Sequence, residues 1–188
     1  MDILLIALIT FFTGLGYLLF QHGLTVKIRF EPEEMAAMKL AFKLHIGDYA
    51  QSGRSMDDIY HLLREQEIDN LTGFGLYYDN PGTTPKEELR SLTGCIINDP
   101  SDFERIEGIK KAVLPASMAL VATFPYKSNF SIALGAVKVY SSLAKYRTLH
   151  NIPEVPVMEI YDMKNARIIY VVLTHLEKTL LEDMVKAS

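Results

Sequence analysis

The chain has 188 residues, a formal net charge of −4 and a pI near 5.7; 49% of its residues are hydrophobic and 22% charged. That balance fits one domain with a full-sized core and argues against a nucleic-acid scaffold, which needs a basic surface. A single cysteine, Cys95, excludes an internal disulfide, and its setting in Cys95-Ile96-Ile97 predicts a buried, inert thiol in a reducing compartment.

The first element is apolar. Ile3 to Phe20 carries no charge, and at about 1.5 Å per residue it spans roughly 27 Å, close to a thin bilayer core. A cleaved signal peptide would need a basic leader and a small-x-small exit. Met1-Asp2 and Tyr17 to His22 supply neither, so an uncleaved single-pass transmembrane anchor over 1–22 is expected. Lys27 and Arg29 follow the span and none precede it, which predicts a cytosolic domain.

The domain is expected over 25–174. Val26, Ile28 and Phe30 alternate with Lys27 and Arg29, the period of a strand. Met38 to His45 reads as a second strand. Met56 to Gln66 reads as a helix, with Ile59, Leu62, Leu63 and Gln66 at helical spacing. Phe74 to Tyr78 and Leu89 to Ile97 read as a strand pair joined at the turn cluster Asp79-Asn80-Pro81-Gly82. Ser101 to Gly108 predicts a short helix. Lys111 to Leu114 and Met118 to Phe124 predict strands, Phe130 to Arg147 a long helix, and Val157 to Asp162 with Arg167 to Leu173 a hairpin. A short C-terminal helix is expected over 175–188.

The order repeats. Pro32-Glu33-Glu34-Met35-Ala36 recurs as Pro115-Ala116-Ser117-Met118-Ala119, and Tyr78-Asp79 as Tyr161-Asp162, both 83 residues on. The expected fold is therefore α+β, with duplicated strand-strand-helix-strand-strand halves. Its antiparallel sheet would carry the helices on one face and leave the other free, with a cleft between the halves.

Several residues carry a resemblance. His45-Ile46-Gly47-Asp48-Tyr49 resembles the H-x-G-x-Y element of GyrI-like domains, which share this duplicated arrangement. Further elements are Tyr49 with Gly53-Arg54, Tyr77-Tyr78-Asp79-Asn80-Pro81, Ala122-Thr123-Phe124-Pro125-Tyr126 and Glu159-Ile160-Tyr161. In order and spacing these are similar to the membrane-anchored GyrI-like receptors for selective autophagy of the endoplasmic reticulum. The similarity covers the anchor and roughly Ala41 to Leu173. It implies a binding domain, on the endoplasmic reticulum membrane if the source is eukaryotic, and a possible partner in the autophagy machinery; a binding domain without chemistry is the expectation, although some GyrI-like proteins are hydrolases. Those receptors recruit ubiquitin-like modifiers through a long acidic tail. These 188 residues contain no such stretch, so weak recruitment is expected.

Glu159 stands out from the residues themselves. Pairing Asp162 with Arg167 across the turn sets Ile160 opposite Ile169 and Met158 opposite Val171, an apolar face expected against the helices. The other face holds Glu159 opposite Tyr170, with Tyr161 beside Ile168; the offset of 83 puts Leu76 at the place matching Glu159. A carboxylate among Tyr161, Tyr170 and Tyr78 suits a small apolar cation; a solvated or salt-bridged strand carboxylate is the plainer alternative. The resemblance implies the former, since GyrI-like drug-binding domains use a glutamate in a similar strand. A membrane-tethered cation sensor is thus the second reading, and a hydrolase the third.

The histidines lack metal-ligand spacing, and neither a phosphate loop nor a G-x-S-x-G turn occurs, so neither metal nor cofactor is expected. Two acid-preceded aromatic-x-x-aliphatic stretches, Tyr60 to Leu63 and Phe103 to Ile106, match the pattern by which peptides add to autophagy modifiers. Both fall on expected helices and read mainly as core, leaving Phe103 and Ile106 as weak partner-binding candidates.

Overall fold

The computed structural model describes residues 3–176, 182–184 and 186. Helix α1 (Ile3–Gln21) has no buried residue; by length and composition it could cross a membrane. The hydroxyls of Thr10 and Thr13 return to the carbonyls of Ile6 and Ile9, so the helix satisfies its own polar atoms.

The domain follows as β1 (Glu31–Met35), β2 (Met38–Ile46), α2 (Ser52–Glu65), β3 (Leu71–Tyr77), β4 (Arg90–Ile97) and α3 (Pro100–Arg105). Its second half is β5 (Lys110–Leu114), β6 (Ser117–Pro125), α4 (Asn129–His150), β7 (Val157–Asp162) and β8 (Arg167–Val172). Local chemistry sets several boundaries. Asp99 caps α3 by accepting from the Ser101 N–H, with Pro100 in the first turn. Asn151, left-handed at φ 53°, ends α4. Asp162 closes the β7–β8 turn by accepting from Asn165 and Arg167.

The strands form one antiparallel sheet in the order β1-β6-β8-β7-β3-β4-β2-β5. The two halves meet at the β3–β7 pair. Each half sends its first strand across: β1 pairs with β6, and β5 with β2. Helices α2 and α3 cover β2 and β4, with Ile59, Leu63, Phe103 and Cys95 in one buried cluster. Helix α4 covers β6 and β8, with Val139, Phe124 and Tyr170 in another. Gly135 permits this approach: a Cβ there would stand 2.8 Å from both the Phe124 ring and the Tyr170 hydroxyl.

Four expectations change. Residues 26–30 form no strand: they run extended beside α4, where Val26, Ile28 and Phe30 pack against its cluster, so their alternation reflects one-sided burial without ladder pairing. The sheet's second face is not free. Phe42, Phe74, Leu76, Met158 and Val171 bury there in the largest cluster, because the sheet curls over that surface and Leu176 and Met184, beyond β8, pack onto it as well. The β7–β8 register is as expected, but its faces are exchanged: Ile160 and Met158 belong to that curled face, and Glu159 and Tyr170 lie under the helices. Finally, 83 cannot relate β3 to β7. The residues under the helices are odd-numbered in both strands, Gly73, Gly75 and Tyr77 against Val157, Glu159 and Tyr161, so an odd offset would invert the face. An offset of 84 aligns Tyr77 with Tyr161 and puts Gly75, not Leu76, at the place matching Glu159.

Of the expected terminal helix, 182–184 and 186 are helical and 175–176 form a turn; the remainder lies outside the described residues.

Candidate functional site

Over the β3–β7 seam, α2 and α4 stand apart and leave a cleft of about 840 Å³. Its floor comes from β3 and β7, one wall from α4 through Ile132, Ala136, Tyr140 and Leu143, and its mouth from Tyr78 to Pro81 and the turn at Tyr49. The small residues Gly73 and Gly75 on the helix side of β3 make the floor low. Tyr77 folds back over Gly75, where a Cβ would lie 2.7 Å from its hydroxyl.

Glu159 is the charged group on that floor, and it is only 4% exposed. Tyr140 donates to its Oε1 at 3.0 Å and Tyr161 to its Oε2 at 3.0 Å. Tyr161 Oη lies 3.4 Å from Tyr77 Oη, which lies 3.4 Å from Ser52 Oγ. Three tyrosine rings thus surround one carboxylate. Among the described residues no cation pairs with it. Burial pushes its pKa up to about 7, against the two tyrosine hydrogen bonds, which lower it.

The mouth is braced by a polar corner. Asp79 accepts from the Arg90 backbone N–H at 2.7 Å, from Nε at 3.0 Å and from Nη2 at 2.8 Å. The Tyr49 hydroxyl donates to the carbonyl of Arg90 at 2.9 Å and accepts from the Asp79 N–H at 3.0 Å. The Tyr49 and Tyr77 rings meet edge-on with centroids 4.8 Å apart. This is what the Tyr77 to Pro81 stretch does in the fold: it turns the chain and holds the aromatic rim.

Glu159, Tyr161 and Tyr78 all line the cleft. Tyr170 lies beneath it, fully enclosed, its ring edge-on to Tyr140 at 6.1 Å. Phe103 and Ile106 are buried with Ile59 and Leu63. Sequence reading missed Tyr140, whose helix shows no period that marks it, and Tyr77, which an even offset would have aligned with Tyr161. It also missed Arg147, at the far end of the α4 wall. Burial raises the Cys95 thiol to about 12, well away from thiolate chemistry. Among the described residues no cluster of His, Cys, Asp and Glu could hold a metal.

Residues 29–168 match the family described as GyrI-like small molecule binding domain. The chain is 31% identical over 157 residues to the testis-expressed protein 264 homolog of Mus musculus, covering 78% of this chain and 48% of that protein. It is 29% identical over 166 residues to testis-expressed protein 264 of Homo sapiens, covering 84% and 51%. It therefore spans about half the length of these curated relatives. The EcmrR C-terminal domain is similar in structure, with TM-score 0.53, 13% identity and coverage of 77% of this chain and 96% of that one. So is an integron cassette protein from the mobile metagenome of Vibrio cholerae, with TM-score 0.52, 10% identity and coverage of 78% and 97%. At such identities these structures show a shared fold.

Proposed function

The chain belongs to the GyrI-like small molecule binding domain family, and we propose that its domain binds small apolar cations in the cleft over Glu159, tethered to a membrane by α1 and without chemistry of its own. The observation that carries this reading is Glu159 itself: a buried carboxylate, held by Tyr140 and Tyr161, with no cation among the described residues. Desolvation of its charge is costly, and an apolar cation relieves that cost while its carbon surface meets tyrosine faces. A desolvated cation–π contact is worth on the order of 1–2 kcal/mol. The volume of about 840 Å³ suits a drug-sized molecule.

The test is calorimetric titration of the full chain in lipid nanodiscs, with empty nanodiscs as the blank. An arylalkyl-trimethylammonium ion should bind, and its uncharged tert-butyl isostere should bind at least tenfold more weakly. Glu159→Gln should remove most of that preference while leaving the unfolding temperature within a few degrees. Equal binding of both compounds would overturn the reading.

Lys27 and Arg29 after the span support a cytosolic orientation, and the motif resemblance supports the endoplasmic reticulum as the membrane. An adaptor role in autophagy would need a recruiting segment. Both internal candidates are helical, and Leu63, Phe103 and Ile106 are buried, which argues against them.

A further inference from the structure

Arg147 lies in the same cleft wall as Tyr140, two turns further along α4. Its Nη2 donates to the Val155 carbonyl at 2.8 Å, which ties down the segment leading into β7. Its Nε is enclosed without any hydrogen-bond partner. Among the described residues no carboxylate forms an ion pair with it. Glu154 also borders the cleft and acts on Arg147 through its charge, but that carboxylate accepts from the Asn80 side-chain amide at 2.7 Å and is open to solvent.

Of the four charged residues that line the cleft, Asp79 is paired with Arg90 and Glu154 accepts from Asn80, whereas Glu159 and Arg147 form no ion pair among the described residues. A carboxylate lies at the floor near the middle of α4 and a guanidinium near its C-terminal end. Seven residues of helix separate Tyr140, which holds the carboxylate, from Arg147, a rise of about 10 Å. Val155 uses one of the guanidinium's five N–H donors, and because Arg147 lines the cleft, a charged acceptor on a ligand there meets it with a charge-assisted hydrogen bond.

We propose that the cleft selects a bipolar ligand, with a cationic end against Glu159 and an anionic or strongly accepting end against Arg147, the ends set apart by a span on the order of the two-turn rise of α4, about 10 Å. This rests on the cation-binding reading of the same cleft and adds the second pole. The apolar wall of Ile132, Ala136 and Leu143 leaves the ligand's body uncharged. A purely cationic ligand leaves the guanidinium unanswered, and a purely anionic one meets the wrong charge at the floor.

Three probes separate the possibilities: octyltrimethylammonium, octanoate, and the zwitterion 8-(trimethylammonio)octanoate, whose charges stand about as far apart as the two poles. The full chain in nanodiscs is titrated with each, against empty nanodiscs. The zwitterion should bind at least fivefold more tightly than octyltrimethylammonium, and octanoate should bind weakest. Arg147→Gln should erase the zwitterion's advantage, read as the ratio of the zwitterion and octyltrimethylammonium affinities within the same variant. Arg147→Lys, which keeps the charge, should retain part of it and guards against a merely structural effect at Val155. If octyltrimethylammonium binds and the zwitterion gains nothing, the bipolar proposal fails and the cation reading stands. An advantage that persists in Arg147→Gln also overturns it. If none of the probes binds, both readings fall together.

Discussion

Gly75 and Glu159 stand directly opposite each other across the β3–β7 seam, on the face beneath the helices. The missing side chain at Gly75 leaves the space into which Tyr77 folds, and Tyr77 in turn lies against Tyr161, which holds Glu159. The pair makes a low floor with one carboxylate in it. A side chain at position 75 would fill the place where the aromatic wall now closes.

Gly75→Ala should therefore damage binding before it damages the fold. Its Cβ would meet the Tyr77 hydroxyl at 2.7 Å and its ring at 2.8 Å. Tyr77 must move, and overpacking of this kind costs about 1–3 kcal/mol. Cation affinity should drop at least fivefold, measured by titration, with the domain still folded by circular dichroism. Unchanged affinity would show that Tyr77 is not part of the binding wall.

The pH dependence of stability should carry the signature of Glu159. A free glutamate titrates at 4.5 and this one at about 7, because burial disfavours its charge. Between those values the folded domain keeps a proton that the unfolded chain has released. Its contribution to stability is thus fully present below about pH 4.5 and is lost as pH rises through about 7, on the order of 3 kcal/mol in total. Wild type should lose stability relative to Glu159→Gln across this window, followed by tyrosine fluorescence in urea, since the chain has no tryptophan. A difference that stays flat from pH 4 to 8 would mean the carboxylate is solvated or paired.

Cation binding should run the opposite way. The ionised form of Glu159 is the one that attracts a cation, so affinity should rise from pH 5 to 8 and level off above about 7. Below that value each binding event should release up to one proton. Calorimetry in two buffers of different ionisation heat measures the number released. Proton-independent binding at pH 6 would place the cation away from Glu159.

Tyr49→Phe tests the corner at the mouth. Removing the hydroxyl strands the Asp79 N–H and a carbonyl lone pair of Arg90. Leaving such groups unpaired costs about 1–3 kcal/mol. The urea midpoint should fall accordingly, and cation affinity should weaken several-fold as Tyr77 and Tyr78 lose their support. A shift under about 0.5 kcal/mol would mean that water replaces the hydroxyl at no cost.

The anchor is tested by topology. Lys138 donates to the carbonyls of Gly23, Leu24 and Val26, and His22 Nδ1 lies 3.1 Å from Ser131 Oγ, so the end of α1 is tied to α4. With α1 spanning a bilayer and Lys27 and Arg29 on the cytosolic side, protease added to sealed microsomes should digest the domain without detergent. A protected domain, or a mature N-terminus near Gln21, would refute this topology.

Periodicity and turn chemistry, both local, made most elements legible in the sequence: the apolar α1, the β7–β8 register pinned by Asp162 and Arg167, the strands around Asp79 to Gly82, and a carboxylate out of place at Glu159. What it could not decide was which face of each strand met the helices. Alternation marks two faces and does not label them, and here both are buried, one under α2 and α4 and the other by the sheet's curl together with Leu176 and Met184. The same limit misread residues 26–30, whose burial is one-sided without a partner strand, and the odd offset that inverted β3 against β7. Tyr140, Tyr77 and Arg147 converge on one cleft only through the packing of α4 across strands distant in the chain. Contacts between residues far apart in sequence leave no trace in local spacing, so tertiary structure alone decided the site's second pole and its aromatic wall.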